Sequence, residues 1–125
     1  MILRDLTEPD KALIDAIYQK HHSGAYGVPS LRNVLDQAVI EDEGGVAGYG
    51  MVKLFAEGII VVNKDRSPVT QARVVKVGID RAIRSVRRNG IEQFHVFTGD
   101  PNYISILQKH WNFQVAPGSA LFIEV

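Results

Sequence analysis

"NKDRSPVTQARVVKVGIDRAIRSVRRNG", residues 63–90, decides how the rest of the chain is read. Val69, Ala72, Val75, Ile79, Ala82, Ile83 and Val86 recur at helical spacing, with arginines opposite and Gly90 beyond the end. Ser67-Pro68 supplies a capping hydroxyl followed by a first-turn proline. Together these predict a long helix over residues 68–88. The join before it, Arg66-Ser67-Pro68-Val69-Thr70-Gln71, follows the apolar run Ile59-Ile60-Val61-Val62. A strand-to-helix turn of this kind is where backbone N–H groups often cradle phosphates. Such turns are usually rich in glycine, and this one has none.

Working outward, Ile2 and Leu3 make a short opening strand. "TEPDKALIDAIYQKHHSG" is expected to be a helix. Thr7 is placed to cap it, Asp10 sits at capping-box spacing, and Pro9 is tolerated in the first turn. Leu13, Ala16 and Ile17 form the expected inner stripe, and Gly24 a stop. "GAYGVPSLRNVLDQ" is a loop, with one or two helical turns expected between Ser30 and Leu35. β-branched residues bounded by glycine turns then predict an antiparallel meander. Its strands are Ala38–Glu41, Val46–Phe55 and Ile59–Val62, joined by turns at Glu43-Gly44-Gly45 and Ala56-Glu57-Gly58.

After the long helix, Gln93–Thr98 is expected as a strand and Asn102–His110 as a short helix. Phe113 to Val125 holds one or two closing strands. Helices and strands interleave only in the second half, so the fold class is α/β (α+β) with a mixed, mostly antiparallel sheet. A parallel pair of strands should be bridged by the basic helix. No internal repeat or interdomain linker is evident, so residues 1–125 are read as a single domain.

Composition narrows the function classes. Fourteen Lys+Arg balance fourteen Asp+Glu, so overall charge gives no argument for nucleic acid or an acidic membrane surface. The absence of cysteine excludes disulfides, thiolate metal sites and a cysteine nucleophile. No segment has the roughly 20 apolar residues of a membrane span. A soluble, cytoplasmic protein is the expectation. The charge is nevertheless uneven. Residues 66–88 carry seven basic side chains against one acid, leaving seven basic and thirteen acidic residues elsewhere.

The succession of elements, in about this length, resembles the GNAT (GCN5-related N-acetyltransferase) superfamily, the acyl-CoA N-acyltransferase fold. A local pattern near the end carries part of the resemblance. In "YISILQKHWNF", Leu107 and Phe113 match the family's closing Asn-x-x-Ala-x-x-Leu-Tyr-x-x-x-Gly-Phe, and Asn102 lies within one residue of its leading asparagine. Asn112 replaces the glycine, and asparagine tolerates the left-handed turn better than most residues. Gln108 replaces the tyrosine that in the family protonates the departing CoA thiolate. A glutamine amide cannot serve as a general acid. Small proteins of tailed bacteriophages with eroded loops and long basic helices are similar in size and in the missing motif. That likeness implies a virion-associated setting for a phage-encoded chain.

The resemblance implies an acetyl-CoA pyrophosphate loop, Gln/Arg-x-x-Gly-x-Gly/Ala, at the start of the long helix. Aligned from the strand, Arg66 takes the first position and Val69 and Gln71 fall on the glycines. Aligned backward from Gly90, Thr70 comes first, with Arg73 and Val75 on the glycines. Neither register restores the motif. The plainer reading is a Ser67-Pro68 cap on a structural helix. In the functional reading, Arg66, Ser67, Thr70 and Arg73 add side-chain contacts to an anion at the helix N-terminus. Gln71 and Asn102 complete the implied cofactor set, and backbone N–H groups near Val62 polarise the thioester carbonyl.

For catalysis the resemblance points to His95, in "QFHVF", as a base for an amine, because the strand carrying it borders the acyl group. Imidazole ordinarily titrates near neutrality. A hydrogen-bonded structural histidine is the plainer alternative. Glu57 is the nearest acid to the "GIIVV" run. Tyr26, in the loop before Ser30, belongs to the implied acceptor-side wall. His21-His22 diverge on their helix and chelate poorly, and no metal set is expected.

Three functions follow. The first is a diverged GNAT-like protein, with eroded CoA site and catalytic acid, acting through binding or assembly with another copy or a protein partner. The second is an active N-acetyltransferase acting on a small-molecule amine. The third is a polyanion or nucleic-acid binder using Arg73, Lys76, Arg84 and Arg87, against which stands the ordinary solubilising role of such arginines.

Overall fold

Thr7 and Asp10 open the first helix much as their spacing predicts. In the computed structural model, which describes residues 1–22, 30–116 and 118–125, α1 runs over Glu8–His21. Asp10 Oδ2 accepts from the Thr7 amide at 2.8 Å and from the Thr7 hydroxyl at 2.6 Å. The hydroxyl thus donates to the carboxylate, and the Asp10 amide turns to the Thr7 carbonyl at 3.1 Å. The helix ends at His22, whose amide donates to the Tyr18 carbonyl at 2.8 Å. Its half-buried apolar residues are Ile14, Ile17 and Tyr18, while Leu13 and Ala16 of the expected stripe are exposed. The expected stop at Gly24 and the candidate wall residue Tyr26 lie outside the described residues.

Among the described residues the chain is a mixed α+β structure with three helices and an antiparallel sheet of three strands in the order β1-β2-β3. Here β1 is Ile2–Arg4, β2 Val34–Asp42 and β3 Gly45–Lys53. The chain forms two compact units: Met1–Leu31, Asp36–Met51 and Asp100–Val125 in the first, Arg32–Leu35 and Val52–Gly99 in the second.

In the first unit β1 runs antiparallel to β2, pairing Ile2 with Glu41, Leu3 with Ile40 and Arg4 with Val39. Val39 is fully buried. The β2–β3 turn is Glu43-Gly44. Asp42 Oδ1 accepts the Gly44 amide at 2.8 Å, and Gly45 takes φ +108°, a value that favours glycine. Tyr49 donates its hydroxyl across the hairpin to Gln37 Oε1 at 2.6 Å. The last helix of the chain, Pro101–Trp111, is capped by Asp100, whose Oδ1 accepts the Asn102 amide at 2.9 Å. It ends at Asn112 in the left-handed conformation, φ 62° and ψ 30°, as the substitution of asparagine for glycine predicts. No strand forms over residues 113–116 or 118–125, so the expected closing strands are absent among the described residues.

In the second unit β4, Ala56–Glu57, pairs in parallel with β5, Phe94–His95. Between them runs α2, Pro68–Arg88, and the helix at residues 101–111 is therefore α3. A parallel pair is bridged by the basic helix, but its first strand is Ala56–Glu57 rather than Ile59–Val62, and it forms a two-stranded sheet of its own instead of joining the antiparallel strands in one mixed sheet. α2 buries Ile79 completely and Val75, Ala82, Ile83 and Val86 in part. Val69 and Ala72, assigned to the same stripe, are exposed.

Four other expectations differ from the structure. Ser30–Leu35 holds no helical turn; a bend and turn lead into β2 at Val34. Ala56-Glu57 is a strand rather than a turn, because its partner comes from beyond α2 instead of from the next residues. Ile59–Val62 is not a strand, and Gln93–Thr98 contributes only Phe94 and His95. Ile59 and Val61 are 79% and 89% exposed, whereas Ile60 and Val62 are half-buried. The run keeps a two-residue alternation by laying Ile60 near Gly78 of α2, where no neighbouring strand offers a ladder.

Candidate functional site

The N-terminus of α2 gathers most of the candidate cofactor residues. Asn63 starts the approach: its Oδ1 accepts the Asp65 amide at 2.9 Å, and its carbonyl accepts the Arg66 amide at 3.3 Å. Ser67 is the cap. Its Oγ accepts the Thr70 amide at 3.2 Å and lies 3.1 Å from Thr70 Oγ1. Gln71 donates its backbone amide to the Ser67 carbonyl at 2.9 Å. Its side chain reaches back to the Arg66 carbonyl at 2.7 Å and the Lys64 carbonyl at 3.3 Å.

A phosphate at a helix N-terminus is held by amides the helix cannot satisfy. Pro68 brings none, Ser67 takes that of Thr70, and Gln71 begins the helical ladder. Among the described residues of this turn, the Ser67 and Val69 amides remain to meet an anion. Arg66 and Arg73 are exposed, and neither makes an ion pair among the described residues. The Ser67 and Thr70 side chains expected to meet an anion are therefore partly used within the cap itself. Val62 is half-buried and lies outside any strand.

The two catalytic candidates are brought into register. Glu57 of β4 is the pairing partner of His95 of β5, and the His95 carbonyl accepts the Gly58 amide at 2.8 Å. The imidazole, however, is engaged otherwise. Its Nε2 lies 3.1 Å from Gln93 Oε1, and its ring sits 4.2 Å from that of Phe55 and 6.2 Å from that of Phe97. The neighbouring Gly58 is required by packing, since a Cβ there would run into the Phe94 ring.

Asn102 and Gln108 both belong to α3 in the first unit. Asn102 serves the Asp100 cap, and the Gln108 carbonyl accepts the Asn112 amide at 3.2 Å. Among the described residues, no group of three or more histidine or acidic side chains is arranged to hold a metal. No described helix is long and apolar enough to cross a membrane.

Two constellations escaped the sequence reading. Asn33, with φ 57°, donates to the Gly90 carbonyl at 2.9 Å and accepts the Glu92 amide at 3.0 Å. Arg4 donates to Asp10 from both terminal guanidinium nitrogens, Nη1 at 2.6 Å and Nη2 at 2.8 Å, and from Nη2 to Glu41 at 2.7 Å. Those hydrogen bonds from Arg4, with further ones from Thr7, hold the Asp10 carboxyl well below the usual carboxylate range. The available signals were an arginine in a three-residue strand and an asparagine ahead of a β-branched run.

No protein-family model, curated protein or solved structure matches the chain.

Proposed function

We propose that this chain is a diverged GNAT-like protein whose acyl-CoA site is degenerate, and that it works by binding rather than acyl transfer. The parallel β4–α2–β5 unit, with the long helix after the fourth strand, supports the likeness in connectivity. One observation carries the functional part: Pro68 brings no amide to the first turn of α2 and Ser67 takes that of Thr70, which reduces the donors left to face an anion. A pyrophosphate needs several outward amides in that place. The unladdered Ile59–Val62 run also lacks the strand backbone against which a thioester would lie. The setting is the cytoplasm, or a virion for a phage-encoded chain.

Calorimetric titration with acetyl-CoA, repeated with desulfo-CoA, tests the reading. No heat and no thermal stabilisation at saturating ligand are expected. Saturable binding near one equivalent overturns it.

A second reading, an acyl-CoA-dependent N-acetyltransferase, is favoured only by the register of Glu57 with His95. It requires a CoA site that Thr70→Glu abolishes by setting negative charge beside the phosphates. Unchanged binding in that variant removes the loop from consideration.

A further inference from the structure

The outer face of α2 mixes charge with apolar surface. Arg73, Arg84 and Arg88 share one helical stripe with Val69 and Val77, which are 68% and 62% exposed. Arg81 and Arg87 flank the stripe. No carboxylate pairs with any of these arginines among the described residues. The helix's one acid, Asp80, is occupied by Lys76 at 2.6 Å. A face used only for solubility has no need of exposed valines between its arginines. A phosphate ladder gains nothing from them either, and α2 carries no aromatic residue to stack on a base.

A surface of matching character lies in the first unit. Met1, Ile2, Glu41, Asp42, Glu43 and Gly44 line an open hollow of about 560 Å³. Met1 and Ile2 are exposed, as are Asp42 and Glu43. Arg4 offsets Glu41 and the Met1 ammonium offsets one further carboxylate, so Asp42 and Glu43 leave the rim acidic by one charge. One surface is basic with exposed valines, the other acidic with an exposed methionine and isoleucine. The charge of the whole chain follows the same division, since residues 66–88 are basic and the remainder is acidic to the same extent.

We infer that the arginine–valine face of α2 docks a second copy of this chain, head to tail, through the acidic and apolar hollow beside the β2–β3 turn. Such a contact is heterologous: each copy presents a helix face to one neighbour and a hollow to another. It closes into a ring or extends as a filament. The inference deepens the binding role proposed above and rests on that reading, but it uses other residues. Acetyl-CoA calorimetry therefore tests the one and self-association the other.

Sedimentation velocity of the full chain, at rising concentration in low and high salt, gives the first readout. The weight-average mass should rise with concentration and fall back as salt screens the contact. Arg84→Glu/Arg88→Glu removes one surface and Ile2→Lys/Glu43→Arg the other, all at exposed positions. Each variant alone should remain monomeric while keeping the wild-type circular dichroism. Mixed in equal amounts, they should form a one-to-one complex that grows no further, because each retains the surface the other has lost. A wild-type chain that is monomeric at every concentration overturns the proposal, as does a mixture that fails to combine. Retention of a labelled DNA duplex by monomeric wild-type protein, lost in Arg84→Glu/Arg88→Glu, reassigns the face to nucleic acid and also overturns it.

Discussion

Asn33 donates its side-chain amide to the carbonyl of Gly90 at 2.9 Å, fastening the end of α2 to a residue 57 positions earlier. The same side chain accepts the Glu92 amide, and the Asn33 carbonyl accepts the amide of Leu54 at 2.9 Å. Gly90, at φ +70°, turns the chain out of the helix while Ile91 donates back to the Val86 carbonyl. Asn33→Ala loses two hydrogen bonds and forces a Cβ-bearing, non-bonding residue into a left-handed position. A loss of about 2 kcal/mol is expected from urea denaturation. Asn33→Gly, free of the backbone penalty, should lose about 1 kcal/mol. An alanine variant no worse than the glycine variant contradicts this account.

Gly58→Ala should destabilise by about 1–3 kcal/mol, since its methyl group enters the space of the Phe94 ring. Gly99→Ala, where a Cβ meets nothing within 4 Å, is the control and should be near neutral. Combining Gly58→Ala with Phe94→Leu should cost less than the sum of the two changes. Thermal melts of the four proteins measure that coupling.

Removing the Ser67 hydroxyl exposes the Thr70 amide. Ser67→Ala should cost about 1 kcal/mol, and Ser67→Asp, which caps equally well, should cost little. Equal losses in both variants would show that the cap contributes nothing.

Acid should weaken the fold through Asp10. Its carboxyl is held below its unfolded value, so the folded state favours the ionised form. That contribution is fully present above about pH 4, the ordinary carboxylate range, and is lost as pH falls further toward the depressed folded value. Asp10→Asn should flatten the stability–pH curve in that window while lowering stability at neutrality. A variant whose curve parallels the wild type there would assign the acid sensitivity to other carboxylates.

The extent of α2 was legible because its signals are local: a serine-proline cap, a helical period and a terminal glycine. The left-handed turn at Asn112 was legible for the same reason, and the helix between two strands made a parallel pair legible, though not which residues form its first strand or that it stands apart from the antiparallel sheet. Ile59–Val62 was misread because β-branched residues favour extended backbone but do not supply a neighbouring strand. Ala56-Glu57 was misread because the pairing of a strand with Phe94-His95 is non-local, while the glycine beside it is a local turn signal. At the candidate site the Ser67 cap was visible in the sequence. The closure by Gln71 was not, because a glutamine amide is equally suited to a ligand and to a carbonyl one turn back.

The brevity of β4 and β5 has a kinetic consequence. Their pairing joins segments separated by the whole of α2, and two residues of ladder give little return for closing so long a loop. Once helical, α2 spans about 31 Å as one rigid rod and removes most of the freedom that the closure opposes. The ladder should therefore form after the helix and open before it. The amides of Ala56 and Gly58, donated to Gln93 and His95, then become hydrogen-exchange reporters of a late-folding seam, less protected than the amides around Ile79.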